Sequence, residues 1–143
     1  MWYPDFSDRL AAWSDLRNQA ETLDPESALK LINEWWFRAP WAGYYLHWDD
    51  QETWPDPWQL LSENIYCEVA RGLGILYTIS MLEREDLEDA ELVVTDDNYN
   101  LVQVGKKKYI LNWDSEKIVN TDLVASKNIK KKLTQSQVKK QYK

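Results

Sequence analysis

Apolar residues recur every three or four positions in the first third of the chain, and this spacing predicts two amphipathic helices. The first covers residues 6–23, with Ser7 as the expected cap because a serine side chain can accept a hydrogen bond from a free amide of the first turn. The second begins at Asp24 and Pro25, since aspartate is a preferred cap and proline fits the first helical position. It should end before Pro40, because the residue that precedes a proline disfavours the helical conformation.

A third helical pattern begins at Asp56 and Pro57 with the same start signal and extends towards residue 83. Asn64 and a pair of glycines interrupt it, and a glycine costs about 1 kcal/mol inside a helix. The pattern therefore predicts one of two arrangements. Either the helix breaks near Asn64 and Cys67 lies near the start of a further helix, or one long helix has a kink.

Short segments rich in β-forming residues follow the helical patterns and predict three strands, at residues 91–95, 100–104 and 108–113. Gly105 lies in the turn between the last two, where it can supply a positive φ. Leu111 and Trp113 share the alternation and are expected on one buried face. Because a sheet this small needs packing partners, the sequence predicts an α+β domain, with N-terminal helices and a central Cys67-bearing helix packed on a small antiparallel sheet.

An aromatic connector, residues 40–55, joins the second and third helical patterns. Loops of this length are usually either functional or packed down by their own side chains, and both interpretations stay open here. The candidates for a contact surface are its large rings: Trp41, Tyr44, Tyr45, Trp48 and Trp54. His47 is the only histidine of the chain, and no second nitrogen or thiolate stands at metal-like spacing from it. We therefore interpret it first as a structural or surface histidine.

The amino-acid composition limits the kinds of protein and of functional site that this chain can be expected to have. The chain has 143 residues, about one domain, and eight of its nine tryptophans lie within residues 2–58. Such large rings indicate either the main core or an aromatic surface. A single cysteine excludes an internal disulfide, and without a Cys/His cluster or a glycine-rich phosphate loop we expect no metal or cofactor. We see neither a signal-peptide pattern nor a membrane-spanning apolar run, so we expect a soluble protein of a reducing compartment.

The charge is unevenly distributed along the chain. The net charge is −7, but residues 1–115 carry 9 basic against 22 acidic residues, whereas residues 116–143 carry 8 against 2. We expect a single domain over residues 1–125 and a basic tail over residues 126–143, either a marginal helix or disordered. The tail could dock on an acidic protein or make non-specific contacts with nucleic acid, and its candidate contact residues are Lys130, Lys131 and Lys132.

The order of elements, a cysteine-bearing helix followed by an antiparallel hairpin, resembles the transglutaminase-like superfamily. Within it, the bacterial transglutaminase-like cysteine proteinases are the most similar group, and the resemblance covers roughly residues 54–114. The matching residues are Trp58, Cys67, Glu68 and Ala70 around the start of the central helix, and Asn112 or Asp114 at the last strand. The resemblance implies a papain-like core in which Cys67 takes the place of the nucleophile.

The chain departs from this family at the catalytic histidine. Residues 97–100 occupy its place in the order, and none of them is histidine. A cysteine nucleophile normally depends on an imidazole for its thiolate and for the proton of the leaving group, and a carboxylate such as Asp97 would oppose the thiolate. His47 would have to reach Cys67 from another loop, which the geometric definition of a triad allows. We expect that it does not act there, and Cys67 is then a small buried apolar residue.

The sequence therefore predicts a catalytically degenerate transglutaminase-like domain that binds or assembles with a protein partner. The sequence as a whole also resembles small proteins of tailed bacteriophages. This resemblance implies a structural or accessory role in the virion or the host cytoplasm. The alternative is an active cysteine hydrolase or acyltransferase. In that case Cys67 is the nucleophile, His47 the base, and Asn112 or Asp114 the third group.

Overall fold

The protein was analysed as a computed structural model, which describes residues 2–43, 46–105, 108–115, 118, 128–140 and 142. The helices are α1 (Phe6–Thr22), α2 (Pro25–Phe37), α3 (Pro57–Glu63), α4 (Glu68–Leu82) and α5 (Gln135–Lys139). The strands are β1 (Glu91–Thr95), β2 (Asn100–Val104), β3 (Tyr109–Leu111) and β4 (Ile129–Thr134). Among the residues described, no helix combines the length and the apolar character that a membrane span requires.

Helix α4 lies at the centre of the fold, and 12 of its residues are buried. It packs against β1 and β2 on one side and against the other helices on the rest of its surface. The sheet has the order β3-β2-β1-β4, and each neighbouring pair is antiparallel. The predicted α+β architecture, with a central cysteine-bearing helix on a small antiparallel sheet, is therefore confirmed.

Two of the three predicted helix starts are confirmed. The Asp24 side chain accepts from the amide of Ser27, and Asp56 forms a reciprocal capping box with Gln59. The helix predicted over residues 6–23 is present, but its predicted cap is wrong, because Ser7 lies inside the helix and Asp5 is the N-cap. Buried Arg9 fixes the chain here, since its Nε donates to the Leu61 carbonyl and its terminal nitrogen to the carbonyls of residues 3 and 4.

The helix break predicted near Asn64 is present. Helix α3 ends at Glu63, and Asn64 takes the left-handed conformation with φ 57°, which asparagine tolerates better than most residues. The indole of Trp2 donates to the Asn64 side chain at 2.7 Å. After three further residues α4 begins, with Cys67 as its N-cap. The break therefore places the cysteine at a helix start rather than in a helix interior.

The tryptophan-rich half of the chain supplies much of the core beneath α4. The indole N–H groups of Trp13 and Trp36 both donate to the hydroxyl of Thr78 at 2.9 Å, and this hydroxyl donates to the Gly74 carbonyl. A Cβ at Gly74 would lie 2.6 Å from the Trp36 ring. Helix α2 therefore approaches α4 closely at Gly74, where a side chain would collide with the Trp36 ring.

Trp113 does not share a face with Leu111, contrary to the expectation. Asn112, between them, has φ 68°, so the alternation of the strand ends there. Leu111 belongs to the main core, whereas Trp113 packs on the opposite face of the sheet, against the cluster of Val93, Leu101 and Ile110.

The lysine-rich segment contributes the fourth strand. Within it, β4 pairs with β1 and places buried Leu133 opposite Leu92, and α5 buries Val138. Residues 130–132 remain exposed. The sequence pattern does not predict this strand, because a run of lysines hides its apolar alternation. Lysines suit such an edge, since they discourage pairing with another chain.

Two buried tyrosines predict a loss of stability at alkaline pH. Tyr66 donates to the Leu60 carbonyl and Tyr77 to the Pro55 carbonyl, and burial raises the pKa of both phenols above the usual range. Because the folded pKa is the higher one, the stabilisation is complete below about pH 10 and is lost as the pH rises above that value. We expect the urea midpoint to fall steeply there, and less so in a Tyr66→Phe, Tyr77→Phe double variant. Equal slopes for the two proteins would contradict this.

Candidate functional site

A cleft with a volume of about 220 Å³ opens where the start of α4 meets the start of β2 and the aromatic connector. Apolar and polar groups share its lining. The main contributors are Leu46, Val69 and Val94, the two tryptophans Trp41 and Trp48, and the polar residues His47, Cys67, Glu68, Asn98 and Asn100. Cys67 and the segment that replaces the family's histidine therefore meet in one place, as the resemblance implies.

Cys67 lies at the N-terminus of α4 and is 3% exposed. Its sulfur accepts a hydrogen bond from the Ala70 amide at 3.5 Å. The start of a helix carries a partial positive charge, and the Glu68 carboxylate lies on the next residue. The position suits a nucleophile, but its burial also suits a small apolar residue.

Asn100 belongs to residues 97–100, which the resemblance places where the family has its histidine. It is the first residue of β2 and 8% exposed. Its backbone and side-chain amides both donate to Glu68 Oε1, at 2.6 and 3.2 Å, and its Oδ1 accepts from the Trp48 indole at 2.8 Å. A carboxamide neither takes up nor releases a proton near neutral pH. The side chain of Asn100 is thus neutral, and its amide nitrogen and its oxygen each have a hydrogen-bond partner.

Asn112, predicted as a third catalytic group, joins the two sides of the site. Its Nδ2 donates to the carbonyls of Glu68 and Asn100, at 3.0 and 2.8 Å. Its Oδ1 accepts from Arg71 Nε at 2.6 Å, and its own amide donates to Asn33 Oδ1 at 2.8 Å. Every bond of this buried side chain is therefore used to hold α4 against β2.

The other two candidate catalytic residues are placed differently. His47 is exposed and lines the same cleft as Cys67, and its carbonyl accepts from the Trp54 indole at 2.9 Å. Asp114 does not line this cleft, and its carbonyl accepts from the Asn33 side chain at 2.7 Å. The expectation that His47 does not act as a base remains a prediction.

The aromatic connector is packed largely by its own side chains. Trp54 is 6% exposed and lies edge-on to Trp48 at 5.2 Å, so it belongs to the core rather than to a contact surface. Trp41 is 60% exposed. Its backbone forms a bridge with Tyr66, next to Cys67, so the exposed ring is attached to the cleft by a main-chain contact. Tyr44 and Tyr45 lie outside the described residues.

Two of the three candidate lysines contact the rim of the cleft. Lys131 pairs with Asp49 at 2.6 Å, and Lys130 donates to Asn98 Oδ1 at 2.8 Å. Hydrogen bonding and charge from Lys131 hold the pKa of Asp49 below its usual value. Exposed pairs of this kind contribute about 0–1 kcal/mol each. The basic segment therefore contacts the acidic body of its own chain.

Sequence reasoning missed Arg71. Its guanidinium lies over the Phe37 ring, 3.8 Å from the centroid, and 5.2 Å from the centroid of Trp41. Burial lowers the pKa of Arg71, and the charge of nearby Glu68 acts in the opposite direction. The available signal was its spacing, because a residue four positions after Cys67 lies on the same helix face. In the part of the chain that the structure describes, no group of three or more histidine, cysteine or acidic side chains could hold a metal.

No protein-family model and no curated protein matches the sequence. Among solved structures, LapG of Legionella pneumophila superposes with a TM-score of 0.72, over 93% of this chain and 78% of that chain. The chain has a transglutaminase-like fold. Sequence identity with LapG is 11%, so the likeness establishes the fold and not the chemistry. In this fold Cys67 lies at the start of the central helix and lines the cleft together with Asn100.

Proposed function

We propose that this chain is a catalytically degenerate transglutaminase-like domain that acts as a binding or assembly protein. The observation that carries the proposal is Asn100. Its carboxamide occupies the histidine's place in the chain order, and hydrogen bonds to Glu68 and Trp48 use both of its polar atoms. The side chain cannot take the proton of the Cys67 thiol, so the cleft keeps its shape without the base that the chemistry requires.

The same cleft supports a binding role. Apolar and polar residues both line it, and the exposed Trp41 lies at its edge. Tryptophan is among the residues most often responsible for binding energy at protein interfaces. We infer a protein partner. The resemblance of the sequence to small proteins of tailed bacteriophages favours a structural or accessory role in a phage, in the virion or in the host cytoplasm. A non-specific nucleic-acid contact is the weaker proposal, because Lys130 and Lys131 already contact Asn98 and Asp49.

The reactivity of the Cys67 thiol tests the proposal. We expect the natural protein to react with iodoacetamide no faster than a small free thiol, because the sulfur is buried and has no imidazole partner at Asn100. Asn100→His should raise the rate about tenfold or more near pH 6, where a free thiol of pKa about 8.5 is almost wholly protonated. Asn18→His is the matched control, since it adds the same imidazole at an exposed position of α1, away from the cleft.

The alternative function, an active cysteine hydrolase or acyltransferase, is favoured by one observation: His47 and Cys67 line the same cleft. It makes the opposite prediction for the same assay. If the natural protein alkylates rapidly well below pH 8 and His47→Ala removes that reactivity, the degenerate interpretation is wrong. A thiol that stays slow in both the natural protein and His47→Ala excludes His47 as its base.

A further inference from the structure

Arg71 carries a positive charge beside the cleft. The described residues accept hydrogen bonds from only part of its guanidinium. Its Nε donates to Asn112 Oδ1. Among the described residues, its two terminal nitrogens have no hydrogen-bond partner. Part of the side chain is exposed to solvent. A guanidinium has five N–H donors arranged as a planar fork, which fits the two oxygens of a carboxylate. Four of these donors remain available here.

The surroundings hold this guanidinium in one orientation. Phe37 lies on its face at 3.8 Å, Trp41 stands at 5.2 Å, and the bond to Asn112 fixes the Nε edge. A side chain that is already fixed loses little conformational entropy when it binds a ligand. Folding has already removed part of the guanidinium from water, so a carboxylate would bind a group that is weakly hydrated.

Among the residues that the structure describes, no carboxylate pairs with the fork. The acidic residue nearest in the helix is Glu68, whose charge acts on Arg71, but its Oε1 is bound to the two amides of Asn100. The net charge of −7 does not exclude an acidic ligand. At physiological ionic strength, exposed charges farther away than about 8 Å are largely screened. The affinity for an acidic ligand therefore depends mainly on the charges close to Arg71.

We infer that Trp41 and Arg71 form the recognition point of this domain, and that it binds a protein segment in which a carboxylate side chain lies next to an apolar one. The carboxylate pairs with the Arg71 fork, and the apolar group covers the exposed face of Trp41 at the cleft mouth. This inference rests on the proposed function, because it names the chemistry of the partner that the cleft would bind. Trp and Arg are both among the residue types that are enriched in interface hot spots.

The experiment uses a small probe that carries both groups, 3-phenylpropionate, against its neutral counterpart 3-phenylpropionamide. Both are titrated into the full chain while the Trp41 indole N–H and the Arg71 Nε–H are followed by NMR. We expect both signals to shift saturably with the carboxylate. The amide should bind about tenfold more weakly, because it replaces a charge-assisted bidentate pair with a neutral contact.

Variants assign the effect to the two residues. Arg71→Gln and Trp41→Ala should each lower the probe's affinity about tenfold, and Arg71→Lys should fall between Arg71→Gln and the natural protein because it keeps the charge but loses the fork. Arg38→Gln, an exposed arginine just after α2, removes the same charge and should leave affinity unchanged. Thermal unfolding of each variant checks that it is folded.

Equal affinity for the carboxylate and the amide, or equal losses in Arg38→Gln and Arg71→Gln, would overturn the inference. The probe does not react with thiols, so its result is separate from the alkylation of Cys67. A reactive Cys67 would remove the proposed function and leave the Arg71 site standing. If Cys67 reacts slowly and the probe does not bind, the Arg71 site is excluded and the proposed function stands.

Discussion

Thr78→Val should reduce the free energy of unfolding by about 2–5 kcal/mol, although the two side chains have nearly the same shape. The hydroxyl is the shared acceptor for the indoles of Trp13 and Trp36, both 1% exposed. Valine leaves two buried N–H donors without a partner, and each unsatisfied donor costs about 1–3 kcal/mol. Because a domain of this kind is stable by about 5–15 kcal/mol, the loss should be obvious in urea unfolding.

Two controls isolate the hydroxyl of Thr78. Thr78→Ser keeps it and removes one methyl group, so it should cost about 1 kcal/mol. Thr53→Val makes the same chemical change at an exposed position where the hydroxyl donates to the Asp50 carbonyl, and it should change stability by no more than about 0.5 kcal/mol. A Thr78→Val protein as stable as Thr78→Ser would mean that the indoles find another acceptor.

The second large effect is expected at Asn112, where alanine should cost about 3–5 kcal/mol. The substitution leaves the carbonyls of Glu68 and Asn100 without this donor and removes the acceptor of Arg71 Nε. It also places alanine at φ 68°, which costs about 1–2 kcal/mol. The measurement is again urea unfolding.

Asn98→Ala separates the backbone cost from the bonds. Asn98 has nearly the same backbone angle, φ 67°, but lies in an exposed turn where its side chain accepts from Lys130. Alanine there should cost only the backbone term, about 1–2 kcal/mol. If the two variants lose equal stability, the bonds of Asn112 contribute nothing and its role as a link between α4 and β2 is excluded.

Local signals in the sequence were sufficient for much of the fold. Asp24 and Asp56, each followed by proline, mark helix starts through contacts within one turn, and Asn64 marks a break through its own backbone preference. Such features depend on neighbours in sequence, so the sequence alone contains them. The same holds for β1, whose bounds agree with the prediction at residues 91–95.

The features that escaped prediction depend on residues far apart in the chain. The start of α1 depends on Arg9, whose Nε donates to the Leu61 carbonyl 52 positions away. The position of Trp113 depends on Asn112, whose amide donates to the Asn33 side chain 79 positions away. The link between Asn100 and Glu68 spans 32 positions, and no local pattern encodes it. Likewise, Arg71 becomes a site only because Phe37 and Trp41 meet it in space.

The place of β4 in the sheet constrains how the protein is made. Strand β1 ends at Thr95, but β4, its neighbour on one side, begins only at Ile129. During synthesis from the N-terminus, β1 and β2 can pair while the other edge of β1 still has open backbone groups. That edge runs past Val94, in the wall of the cleft. An open edge is a template for pairing with another chain, so we expect the nascent domain to be most prone to mispairing before residues 129–134 are available.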